Sequence, residues 1–263
     1  MSKKSRRQDK NVKHLQSIQG GASGGKKQSA FFDMGTDGGA DWHPLDTEID
    51  KNRDKKYIKT IKPRSDGQGD LMKAMKEYNL TLAMGPAGTG KTYLAIAAAV
   101  DALEKGTVER IILSRPAMEA GESLGYLPGA MEEKMAPYLR PLFDALGDRL
   151  GGKKVRHYMD EGTIEIAPVG FMRGRTLNNA FVVIDEAQNC TYVQLKMLLS
   201  RLGWNSTMVV TGDPAQSDLL TGMSGLADIA DKLSTSPNIS VCRLQSQDIV
   251  RHPLVAEMLE VLD

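Results

Sequence analysis

The spacing of apolar residues changes several times along the chain, and each change marks an element. In DGQGDLMKAMKEY (66–78), Leu71, Met72, Met75 and Tyr78 share one face and predict a helix. NLTLAM (79–84) is a short apolar run that predicts a strand entering a Gly-rich turn. KTYLAIAAAVDALEKG (91–106) is Ala-rich and helical, with Gly106 placed to end it. RIILSR (110–115), TIEIA (163–167), FVVIDE (181–186), TMVVTGD (207–213) and ISVCRL (239–244) read as strands. Between them, EEKMAPYLRPLFDALGDRL is expected to form a helix that opens near Pro137 and is interrupted at Pro141. TYVQLKMLLSRLG (191–203), GMSGLADIADKL (222–233) and PLVAEMLEVL (253–262) complete the helices. Continuous apolar strands alternating with helices predict an α/β fold, a parallel sheet covered on both faces.

Composition adds bounds. With 263 residues, 41% hydrophobic and 25% charged, the chain has room for one sizeable core. No apolar run approaches the ~20 residues that span a bilayer, and no apolar stretch follows the basic N-terminus, so neither a membrane span nor a secretory signal is expected. Cys190 and Cys242 read as buried free thiols of a reducing cytoplasm. The net charge of +1 hides an asymmetry: eight Lys and Arg of residues 1–30 face a single acid, Asp9. Residues 1–54 are expected to be a basic, Gly/Ser-rich tail and linker, disordered at least in part, and 55–263 the folded domain. The tail is either an arm for nucleic-acid phosphates or a solvated segment without a specific partner.

The Gly-rich turn carries chemistry. Residues 85–92 read GPAGTGKT and fit G-x-x-x-x-G-K-[ST], with a strand before and a helix after. Gly85, Gly88 and Gly90, with Pro86, Ala87 and Thr89 between them in the same binding loop, let the backbone curl so that its free N–H groups point inward at phosphate oxygens. The helix that begins at Lys91 adds its positive end. Lys91 is expected to reach the β- and γ-phosphates of ATP, and Thr92 to hold Mg²⁺ through its hydroxyl.

FVVIDEAQ supplies the matching acids. An Asp at the end of a second apolar strand completes the Mg²⁺ shell in P-loop enzymes, which assigns Asp185 to the metal. Glu186 is then placed to take a proton from an attacking water. TGDPAQ (211–216) ends the next strand and faces the same crevice. Gln216 is a candidate γ-phosphate sensor, while Asp213 either joins the site or fixes the turn before Pro214. Gln188 either connects the acidic pair to Gln216 or is the first polar contact of a departing loop. The acid pair and the extra strands agree with a RecA-like P-loop NTPase, in which another strand often separates the P-loop strand from the acidic one.

The combination of GPAGTGKT, SRPAMEAGESLGYLPG, MRGRTLNNAFVVIDEAQN, KMLLSRLG, TGDPAQSDL and DIVRHPLV closely resembles the PhoH family of P-loop ATPases, from about Ile61 onward. The resemblance implies ATP hydrolysis and a hexamer. No PIN nuclease domain is expected, because no spaced acidic set precedes the ATPase core. The family is similar in turn to the first motor domain of superfamily 1 helicases. That likeness implies that Gln68 reads the adenine edge, the alternative being an exposed Gln at a helix start. It also implies that SRPAMEAGE (114–122) contacts single-stranded nucleic acid.

One departure from the helicases concerns arginine. The residues after Gln216 are too few for a second RecA-like domain, which in helicases presses an arginine onto the γ-phosphate. Either the γ-phosphate lacks an arginine, or a neighbouring subunit of a head-to-tail ring supplies it, with Arg251 first among candidates and Arg173 and Arg175 behind. For each, a structural ion pair is the competing reading. His252 is assigned no chemistry. GGKKVRHY (151–158) is either a loop over a pore, with Tyr158 stacking on a base, or a hairpin tip. Two functions remain open: a ring-shaped ATPase stimulated by RNA or single-stranded DNA, with RNA helicase activity in prospect, or an ATP-responsive assembly module with little turnover.

Overall fold

The structure, a computed structural model, describes residues 61–116 and 131–250 together with Leu254 and Met258. The basic tail, most of SRPAMEAGE and the arginine and histidine at 251 and 252 lie outside the described residues. In chain order the elements are α1 (Asp66–Glu77), β1 (Leu80–Met84), α2 (Lys91–Glu104), β2 (Arg110–Arg115), α3 (Met131–Leu150), α4 (Gly152–Asp160), β3 (Ile164–Pro168), β4 (Ala180–Ile184), α5 (Tyr192–Leu199), β5 (Thr207–Gly212), α6 (Leu226–Leu233) and β6 (Ser240–Arg243).

The six strands form one sheet in the order β3-β2-β4-β5-β1-β6, and every pairing is parallel. β5 lies between the P-loop strand β1 and the acidic strand β4, as the RecA-like reading expects. The inserted strand is TMVVTG, however, and not either of the two that lie between them in sequence. Successive residues on the inner strands serve opposite faces, the period-two rule for a sheet buried on both sides. Ile111, Leu113, Val183 and Val209 pack under α1 to α4, whereas Leu82, Ile112, Val182 and Met208 pack under α5 and α6.

The helices obey local rules at their ends. Thr191 caps α5 through a capping box with Gln194. Gly106, at φ +68°, closes α2 with bonds from Gly106 N to Leu103 O and from Thr107 N to Ala102 O. α5 and α6 are shorter than the periodicity suggests.

Two expectations are corrected. Met131–Leu150 is one continuous helix that passes through both prolines. An interior proline costs about 3 kcal/mol. Burial of Leu139, Leu142, Phe143 and Leu146, all 1% exposed or less, outweighs it at about 1.5–3 kcal/mol each. The KKVRHY stretch is helix α4, neither pore loop nor hairpin tip. Val155 and Met159 anchor it in the core, and half-buried Tyr158 lies under the Lys154 ammonium, 5.4 Å from the ring centre. Among the described residues no helix is long and apolar enough to cross a membrane.

Candidate functional site

Parallel strands direct their carboxyl ends to one edge of the sheet, and there β1, β2, β4 and β5 converge on a cavity of about 540 Å³. The loop from Gly85 to Gly90 forms one wall, with Gly85, Gly88 and Gly90 all at positive φ. Gly85 has a further reason to lack a side chain: a Cβ there would meet Leu244 O at 2.5 Å. The loop is braced from behind, by Gly85 N donating to Gly212 O and Val250 N donating to Gly88 O.

Lys91 opens α2 and folds back over this loop. Its Nζ donates to Gly85 O at 2.6 Å and Pro86 O at 2.8 Å. Burial pushes the Lys91 pKa below its ordinary value, and the nearby carboxylates of Asp213, Glu186 and Asp185 partly offset this. Thr92 faces the acidic strand. Its hydroxyl donates to Asp185 Oδ1 at 2.6 Å, and Thr211, at the end of β5, donates to the same oxygen at 2.7 Å. The hydroxyl and the carboxylate are therefore adjacent, as a shared Mg²⁺ would require.

Glu186 leaves β4 in the left-handed conformation, φ 52° and ψ 42°, uncommon for a residue with a side chain and typical of functional turns. Its Oε2 accepts from Gln188 Nε2 at 2.5 Å. The other end of that buried amide, Gln188 Oε1, accepts from Asp213 N at 3.1 Å. So Gln188 joins the acidic pair to the backbone of TGDPAQ at Asp213, rather than to the Gln216 side chain. The next residues tighten the seam. Asn189 and Asp218 exchange two hydrogen bonds, and Ser217 Oγ donates to Gln188 O. Asp213 fixes its turn, accepting from Ala215 N at 3.0 Å, and also lines the cavity. Exposed Gln216 lines the same cavity.

Gln68 is buried, which overturns the reading of an exposed Gln at a helix start. Its Nε2 donates to Thr89 O at 2.9 Å and its Oε1 accepts from Arg64 N at 2.9 Å, so α1 supports the phosphate loop directly. Asp248 anchors α1 in turn. Its carboxylate accepts from Gln245 N, and a Cβ on Gly67 would strike it at 2.5 Å. Backbone N–H donation from Gln245, then the Ser65 hydroxyl, hold the Asp248 pKa below the usual carboxylate range.

The arginines are redistributed. Arg175 makes a fork with Glu165, its Nη1 and Nη2 meeting the two carboxylate oxygens, so the structural reading holds for it. Arg173 is exposed beyond β3. The residue missed from sequence is Arg115. It ends β2, and its guanidinium reaches Asp185 Oδ2 at 3.4 Å and Glu186 Oε1 at 3.3 Å. The available signal was the SR that closes RIILSR, but only the strand order brings β2 beside β4. Cys190 is buried, which pushes its thiol up to about 12, and Cys242 is half-buried; both are free.

The family model for PhoH-like proteins matches residues 60–263. The chain belongs to the PhoH family. It is 52% identical over 217 residues to a PhoH-like protein of Bacillus subtilis, covering 82% of this chain and 67% of the relative. It is 42% identical over 210 residues to protein PhoH of Escherichia coli, covering 79% and 59%. This PhoH-like chain thus spans about three-fifths to two-thirds of the length of these relatives. Among solved structures, the large terminase of a thermophilic bacteriophage superposes with a TM-score of 0.50 at 11% identity, over 77% of this chain and 51% of that one. That likeness concerns the fold.

Proposed function

We propose that this PhoH-like protein binds ATP in the cavity between the phosphate loop and the acidic pair and hydrolyses it with Mg²⁺. The observation that carries the reading is the convergence of Lys91, the Thr92–Asp185 contact at 2.6 Å and Glu186 on one cavity. The donor set fits Mg²⁺: Asp185 and Thr92, one carboxylate beside one hydroxyl, would hold the ion together with phosphate oxygens and water. When bound, the ion would neutralise charge on the β- and γ-phosphate oxygens.

The protein's own groups do the rest. The N–H groups from Ala87 to Thr92, at the start of α2, bind the phosphates. Lys91 exchanges the carbonyls of Gly85 and Pro86 for β- and γ-phosphate oxygens. Glu186 orients a water and takes its proton, while Gln188 holds the carboxylate in place. Gln216 contacts the γ-phosphate end, and the loss of that phosphate on hydrolysis is relayed through Asp213 and Gln188. Gln68 positions the loop and is the candidate adenine reader. Family membership and the basic residues 1–30 support RNA or single-stranded DNA as the polymer the cycle acts on, with helicase activity as its strongest form. A hexameric ring, with Arg251 acting in trans, rests on the resemblance to the family.

The test is ATP turnover with and without single-stranded RNA, for wild type, Lys91→Ala and Glu186→Gln. Turnover raised by RNA and lost in both variants is the expected result. Equal, slow turnover in wild type and Glu186→Gln, indifferent to RNA, would leave the ATP-responsive assembly module as the better reading.

A further inference from the structure

We propose that Arg115 is an in-cis phosphate-binding residue, exchanging the carboxylates of Asp185 and Glu186 for the terminal phosphate of ATP. The inference rests on the ATPase reading and deepens it. Backbone geometry places the residue. Asp185 N donates to Ser114 O at 2.8 Å, continuing the β2–β4 ladder, so Arg115 stands directly beside the acidic pair. Its side chain is 19% exposed and lines the same cavity as the phosphate loop.

The contacts themselves look exchangeable. A guanidinium committed to a carboxylate makes short parallel bonds near ~2.7–2.9 Å. Arg175 does so with Glu165, one of its bonds measuring 2.7 Å. Arg115 instead spreads one nitrogen to each acid, at 3.4 and 3.3 Å. Asp185 and Glu186 also keep other partners: Thr92 and Thr211 on Oδ1 of the first, Gln188 on Oε2 of the second.

Charge gives the direction. The cavity wall carries Asp144, Asp148, Asp185, Glu186 and Asp213, against Lys91 and Arg115. A triphosphate entering this excess of carboxylates needs every cation on the wall, and Mg²⁺ at Asp185 would take over the neutralising role Arg115 plays there. The fork of Arg115 then suits the terminal phosphate's oxygens. Its departure also uncovers Glu186 Oε1, the oxygen it contacts here, for the water that Glu186 is to deprotonate. Nucleotide entry and activation of the base are thereby one event.

The experiment measures affinities for a non-hydrolysable ATP analogue and for ADP, both with Mg²⁺, beside ATP turnover, in wild type, Arg115→Gln and Arg115→Lys. A charge-assisted bond to the terminal phosphate is worth roughly 10–100-fold in affinity. Arg115→Gln is expected to weaken the ATP analogue by that factor while ADP binding stays within about twofold. Arg115→Lys, which keeps the charge without the fork, is expected to fall between, and serves as the reading if Arg115→Gln fails to fold. Equal effects on both nucleotides, or none, in a wild type that hydrolyses ATP would overturn the Arg115 role and leave the ATPase reading standing. A wild type that binds neither nucleotide would overturn both.

Discussion

At Glu186 the backbone, the hydrogen bonds and the charge all serve one carboxylate. A left-handed turn places it on the cavity wall, Gln188 holds Oε2, and Arg115 contacts Oε1. In the proposed role of general base, such a carboxylate contributes about 10²–10⁴-fold. Glu186→Gln is therefore expected to lower kcat by about that factor while nucleotide affinity stays within a few-fold, read by steady-state turnover beside equilibrium binding. Lys91→Ala differs in kind. It removes the group meant for the phosphates themselves, so binding and turnover are expected to fall together. The roles expected of Lys91, Thr92, Asp185 and Glu186 could be read from sequence because each lies within a few residues of its own motif. Arg115 could not, since its partners lie 70 and 71 positions away and meet it only through the strand order. Gln68 was half legible: its approach to the nucleotide site was anticipated, its burial and its bond to Thr89 O were not.

Among the elements, the segment after β6 has the widest reach. It packs Leu244 behind Gly85, bonds Val250 N to Gly88 O, and clamps α1 through Asp248. Since Asp248 has a depressed pKa in the fold, its contribution is present above the unfolded value of about 3.9 and is lost as pH falls through the folded value. Asp248→Asn is expected to lower Tm at neutral pH, with the gap from wild type closing below about pH 4 in thermal melts. A gap of constant size at every pH would mean that packing, not charge, holds the clamp. Gly85→Ala is expected to be more damaging, because φ is +143° and Leu244 O blocks the new methyl group. The RTLNNAF stretch has a structural explanation at the opposite end of the sheet. There Asn178 Oδ1 accepts from Trp204 N and Asn179 Oδ1 accepts from Asn205 Nδ2. The strands were legible because apolar runs declare themselves. The continuity of α3 was not, since burial of one helix face overrides two prolines only when the packing partner is known.

For the whole molecule, the ring is proposed on family likeness and on an arginine supplied by a neighbouring subunit. If Arg115 binds the terminal phosphate in cis as proposed, the hexamer rests on family likeness alone. Native mass measurement of the full chain is expected to give a hexamer. A monomer with full turnover would remove any need for a neighbour's Arg251. The sheet itself, an α/β layer with the candidate site at the carboxyl ends of β1, β2, β4 and β5, could be foreseen in class and in having a strand between β1 and β4, but not in which strand that is. Local periodicity names strands without pairing them.

The proposed function stands on the phosphate loop and the acidic pair acting as one hydrolytic site. Mg²⁺-dependent phosphate release from ATP, compared between wild type and Glu186→Gln under conditions where both bind the nucleotide equally, puts that to the test. Release by wild type and a loss of about 10²-fold or more in the variant is expected. Equal rates in the two proteins would contradict it.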